Sequence, residues 1–72
     1  MIDVGSYWRN HNSGRTIKII KVEHKEENVY YFDRCDGYKR VLPERQLKNH
    51  WVEVSEKEFK KDQILWSLKI SS

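Results

Sequence analysis

Four side chains in this sequence could ligate a metal or attack an electrophile: His11, His24, Cys35 and His50. A structural zinc needs four such ligands, usually in closely spaced pairs. The spacings here match no zinc module, and three of the four fall in segments that read as turns. Cys35, between Arg34 and Asp36, would need a nearby base to become a nucleophile, and the spacing offers it no histidine partner. It reads as a small turn residue. No paired carboxylates and no glycine-rich phosphate loop occur, so no catalytic residue, metal ligand or cofactor is expected.

The chemistry that remains is binding. Tyr7, Trp8 and Arg9 stand together. Trp8 reads most simply as core, with Arg9 its solvated neighbour. An exposed Tyr7 or Trp8 beside Arg9 would instead form a stacking platform with a phosphate contact. Tyr30, Tyr31 and Phe32 are consecutive, and a strand sends neighbouring side chains to opposite faces. Either Tyr31 is internal, or Tyr30 and Phe32 are, so at least one ring needs cover from outside the sheet. The C-terminal segment is the expected cover, and a ligand surface is the alternative. Arg34, Lys39, Arg40, Arg45 and Lys48 gather around the Asp36-Gly37 dipeptide, interleaved with Tyr38 and Trp51. They read as a solvated face or as a phosphate-contacting patch. Lys39 and Arg40 are adjacent on one strand, which keeps them off a single flat patch.

The elements that position these residues are short. Gly5 to Arg9 reads as a strand closed by the turn Asn10–Gly14. A long strand runs from Arg15 to His24, in which Ile17 and Ile19 fall on one face and Ile20 and Val22 on the other. That slip predicts a bulge at Ile19-Ile20. A polar loop at residues 24–28 leads into "VYYFDR", rich in strand-forming residues. Asp36-Gly37 is a strong hairpin signal joining it to a strand from about Tyr38 to Leu42. Pro43 presets the backbone for a turn of helix, and Trp51 to Val54 form the last short strand. Ser55 and Glu58 make a capping box that starts a short helix. Beyond it, Ile64, Trp66, Leu68 and Ile70 alternate with other residues, so an added strand is expected, with one longer helix as the alternative.

The 72 residues carry 14 basic and 11 acidic groups, a net charge of +3. All of the excess lies in residues 1–48, with ten basic against seven acidic groups. Such a field draws anionic partners only modestly. A single cysteine leaves no intramolecular disulfide and fits a reducing compartment. No apolar run is long enough to span a bilayer, and "MIDVGSYWRNH" lacks the basic-then-apolar pattern of a leader. A soluble cytoplasmic protein with no membrane partner is expected.

The stretches "VGSYWRNHNSGRTIKIIKV" and "VYYFDRCDGYKRVLPERQLKNHWVEV" resemble small SH3-like barrels of the Tudor-like and KOW-like kind. More narrowly, "G-x-x-W-R", the aromatic strand ending in "DG" and the turn before "W-x-x-V" resemble a family of very short uncharacterised proteins of enterobacteria and their phages. The resemblance spans about Val4 to Val54. It implies a mainly β fold, an antiparallel SH3-like barrel of about five strands over residues 1–54. Residues 55–72 form an extension packed on it, as a helix, an added strand or both. It carries no chemistry across. The expected function is that of a small non-enzymatic phage or prophage accessory protein that docks on a protein partner through Tyr30 or Phe32, Trp66 and the extension. Strand addition through residues 64–70 would also make a homodimer. The alternative is a nucleic-acid binder with Arg9, Arg34, Lys39, Arg40, Arg45 and Lys48 on phosphates and Tyr7 or Tyr38 stacking.

Overall fold

The slip in the isoleucine-rich segment organises the sheet. The computed structural model describes residues 2–71, and the side chains of residues 2–68. In β2 (Thr16–His24), Ile19 lies opposite Phe32 and Lys21 opposite Tyr31 of β3 (Asn28–Arg34), so Ile20 has no partner across the ladder. This bulge restores the phase, and Ile17, Ile19 and then Val22 all turn to the inner face. Ile17 and Ile19 are fully buried, whereas Ile20 is exposed.

Around this pair the other strands are β1 (Tyr7–Asn10), β4 (Lys39–Pro43) and β5 (Trp51–Val54). All five are antiparallel in one sheet of order β4-β3-β2-β1-β5. β4 and β5 stand at its two ends and do not pair with each other, so ladder bonds do not close it into a barrel. Between β3 and β4, residues 35–37 form a three-residue loop closed by the backbone-bonded pair Arg34 and Tyr38. Arg34 accepts from the Gly37 N–H at 2.9 Å and donates to the Tyr38 carbonyl at 2.7 Å. Gly37 has φ +94°, the left-handed conformation that such a loop requires of its last residue.

The inner face carries the core. Ile2, Ile17, Ile19, Tyr30, Phe32, Leu42 and Leu47 form one buried cluster, with Trp8, Val22 and Trp51 packed against it. Of the two phases open to the aromatic triplet, the structure adopts the one with Tyr30 and Phe32 inside and Tyr31 outside. α1 (Glu44–His50) has seven residues, two turns, and places Leu47 over the core. Pro43 is its N-cap, in extended conformation.

The last segment differs from the expected helix-plus-strand. Residues Glu56–Ser71 form one helix, α2. Ser55 starts it, its Oγ accepting from the Glu58 N–H at 3.4 Å. The alternation of Ile64, Trp66 and Leu68 had suggested strand, but the spacing that matters is three and four: Phe59 and Asp62 are buried and Trp66 half-buried, on one helical face. Glu, Lys, Gln and Leu favour helix throughout this stretch. With residues 64–70 helical, the added strand and the strand-paired homodimer lose their structural basis.

Candidate functional site

The ten residues singled out by sequence separate into four places. Tyr7, Arg9 and Trp66 lie in the seam between the sheet and α2. Tyr7 packs its ring 5.2 Å from Phe59 and donates to Glu56 Oε2 at 3.0 Å. Burial, then the neighbouring Glu56 carboxylate, raises its hydroxyl pKa. Arg9 donates to Glu58 at 3.1 Å and to Asp62 at 3.2 Å. Trp66 lies under the Arg15 guanidinium, 4.4 Å from its ring centre. The stacking platform that an exposed Tyr7 beside Arg9 would form is therefore covered, and Arg9 is not a freely solvated neighbour of Trp8, because Tyr7 and Arg9 both point to the outer face, where α2 packs.

Tyr30 is removed from any surface. It is 0% exposed, and its hydroxyl donates to Glu44 on α1 at 2.8 Å. Burial, then that hydrogen bond, raises its pKa, while Glu44 is held below the usual carboxylate range by the same bond. The expectation that Tyr30 or Phe32 is a docking ring is corrected: Phe32 is buried too, 6.2 Å from the Trp51 ring.

Arg34, Tyr38, Lys39 and Arg40 do gather, at the β3–β4 hairpin. The Arg34 guanidinium holds Asp36 with two hydrogen bonds of 2.7 Å. Exposed Tyr38 lies between Arg34, 4.5 Å from its ring centre, and Arg40, 5.7 Å away. Lys39 donates to Asp33 at 3.0 Å. Arg45 and Lys48 stand apart on α1, beside Glu27 at 3.9 Å and Glu44 at 3.8 Å. The expected cationic patch is thus divided, and most of its members face carboxylates of this chain.

The Arg34–Asp36 pair links the hairpin to pH. Hydrogen bonding to Arg34 holds the Asp36 carboxyl below the usual aspartate range, against the opposing effect of burial. A carboxylate with a depressed folded-state pKa adds stability that is complete above its unfolded value and is lost as pH falls through the folded one. The urea midpoint should therefore fall as pH drops below about 4, and Asp36→Asn should flatten that fall. Parallel acid profiles for the variant and the original would show that the pair contributes nothing.

Two exposed apolar surfaces escaped sequence reading. Ile20, Tyr31 and Val41 lie together on the outer face of the sheet beyond α2, with Lys21 Nζ 5.3 Å from the Tyr31 ring centre. On α2, Ile64, Leu65 and Leu68 are exposed. The first was signalled by the slip at Ile20, which had to place one apolar side chain outside. The second follows only once residues 64–68 are read at helical spacing.

Among the described residues, no three His, Cys, Asp or Glu side chains come together as a metal site. Cys35 is a free, buried thiol. No helix among the described residues is long and apolar enough to cross a membrane. No family model matches the chain, and no curated protein or solved structure matches it either.

Proposed function

We propose that this chain is a small non-enzymatic accessory protein of the phage or prophage kind, built as an SH3-like barrel with a helical extension, that docks on a protein partner in the host cytoplasm. The SH3-like reading is supported by the strand order and by the short helix between β4 and β5.

The observation that carries the docking reading is the outward face of α2. Phe59, Asp62 and Trp66 turn toward the sheet, while Ile64, Leu65 and Leu68 turn away from it with exposures of 65%, 49% and 63%. Steps of three and four place Lys57 and Lys61 on the same outward stripe, so it is basic in its first half and apolar in its second. A helix that already buries one face has no folding reason to keep a second apolar stripe in water. Such a stripe fits an apolar groove on a partner.

The nucleic-acid reading rests on exposed Tyr38 between Arg34 and Arg40. It is the weaker of the two, since a phosphate would compete with the carboxylates that already face Arg9, Arg34, Lys39, Arg45 and Lys48.

The test uses immobilised chain to capture binders from host lysate, with Ile64→Asp/Leu68→Asp as the variant. Both positions are exposed, so unfolding should shift by only about 0.5 kcal/mol per site. The expected result is a captured protein, insensitive to nuclease and to moderate salt, whose retention falls at least tenfold in the variant. A nuclease-sensitive, salt-sensitive catch lost instead with Arg40→Glu/Lys48→Glu would overturn the reading in favour of nucleic acid.

A further inference from the structure

β4 is an edge strand, and its register shows which backbone groups are free. It pairs only with β3 in the sheet, Lys39 lying opposite Asp33, Arg40 opposite Phe32, Val41 opposite Tyr31 and Leu42 opposite Tyr30. The bond from the Arg34 N–H to the Tyr38 carbonyl sets the phase, because hydrogen-bonded pairs alternate along an antiparallel ladder. Arg40 and Leu42 therefore turn their N–H and C=O toward β3. Lys39 and Val41 turn theirs to the open edge, and Pro43, which has no N–H, ends the series.

Beside this edge the outer face forms a shallow depression of about 350 Å³ lined by Ile20, Tyr31, Phe32, Lys39, Arg40 and Val41. Its apolar floor includes Ile20 and Val41, 40% and 49% exposed. Ile20 is there because the β2 bulge turns it outward. The rim is cationic. Lys39 faces Asp33, and Lys21 faces Glu23 at 3.5 Å; Arg40 has no carboxylate within ion-pair distance among the described residues.

We propose that the β4 edge binds an extended acidic peptide segment of a partner protein, which adds as a sixth strand antiparallel or parallel to β4. The N–H and C=O groups of Lys39 and Val41 pair with its backbone, its apolar side chains settle on Ile20, Tyr31 and Val41, and its carboxylates, on the alternate face of the added strand, meet Arg40. Charge selects this occupant over a second copy of the chain, since β4 against β4 would set Lys39 and Arg40 beside their own counterparts, and like charges across a ladder repel. The surface is separate from the outward stripe of α2 and does not depend on it.

The test is an NMR titration of amide-labelled full chain with a blocked ten-residue peptide of alternating valine and glutamate. A peptide with lysine in place of glutamate and a ten-nucleotide oligothymidylate serve as comparisons. The expected result is shift change centred on Ile20, Tyr31 and residues 39–41, slowed exchange of the Lys39 and Val41 amides, and no response to the lysine peptide. Lys39→Glu/Arg40→Glu should weaken binding about tenfold or more. Val41→Pro should abolish it, because proline removes an outward donor that the β3 ladder does not use. The two-residue charge reversal lies wholly on exposed side chains, so it decides the matter even where the proline variant folds poorly. Four results would overturn the proposal: no response to the valine–glutamate peptide, an equal response to the lysine peptide, a stronger response to oligothymidylate, or concentration-dependent shifts without any peptide, which would assign the edge to a second copy. None of them bears on capture through Ile64 and Leu68, so the two surfaces fail or stand separately.

Discussion

Asp62→Ala should lower the unfolding free energy by about 2 to 3 kcal/mol and the melting temperature by on the order of 10 °C. Asp62 is 7% exposed and is the point where α2 meets the sheet. Its Oδ2 accepts from Arg9 at 3.2 Å and from the fully buried Thr16 hydroxyl at 3.0 Å. Arg9 Nε is already buried without a hydrogen-bond partner. Removing the carboxylate therefore leaves Thr16 unpaired and Arg9 with Glu58 alone. Loss of one partner of a fully buried pair costs about 3 to 5 kcal/mol. The smaller figure here allows for the Arg9 side chain, which keeps 33% exposure to solvent. Urea denaturation followed by tryptophan emission measures the effect, with Lys60→Ala as the contrast. Lys60 pairs with Glu56 at 3.1 Å, but both side chains are exposed, and such a pair contributes about 0.5 kcal/mol or less. If the two variants proved equally mild, α2 would be held by Phe59 packing and not by the Arg9–Asp62–Thr16 cluster.

Leu47→Ala should cost about 3 kcal/mol, within the usual range for removing a buried leucine. Leu47 is 0% exposed and is the one residue of α1 in the core cluster. Its side chain caps the inner face, while the Tyr30 hydroxyl ties the start of α1 to the sheet through Glu44. A small domain has little stability to spare, so this single truncation should leave a substantial unfolded fraction at 37 °C. Tyr30→Phe tests the other attachment and should cost only about 1 kcal/mol, the net contribution of one hydrogen bond. Urea midpoints of the two variants separate the contributions. A Leu47→Ala loss below about 1 kcal/mol would mean that neighbouring side chains close over the site and that α1 is not what seals the core.

Strands, turns and the bulge were legible because their causes are local. Ile17 and Ile19 alternate, Ile20 breaks the alternation, and the chain can keep Ile17, Ile19 and Val22 on one face only by bulging. Asp36-Gly37 supplied the left-handed residue of the hairpin, and Pro43 marked the start of α1. The phase of the Tyr30–Phe32 triplet was not legible, because either choice buries aromatic surface. In the fold Tyr30 and Phe32 join the buried cluster, and the Tyr30 hydroxyl reaches Glu44 from outside the strand. The end of the chain was misjudged for a related reason. Apolar residues at 64, 66 and 68 satisfy strand spacing, while Phe59, Asp62 and Trp66 satisfy helical spacing, and only contact with the sheet distinguishes the two.

The site residues divide in the same way. Sequence alone pointed to five short strands along residues 5–54, the bulge in the second of them, and a hairpin rich in cations and tyrosine. The tertiary structure decided which of those side chains remain available. Arg9 meets Glu58 and Asp62 from positions 49 and 53 residues distant, and Tyr7 meets Phe59 across the same seam. Turns and the bulge follow from side-chain sterics and turn chemistry within a few residues, whereas exposure, charge pairing and the helical state of residues 64–68 depend on which distant element packs against each face.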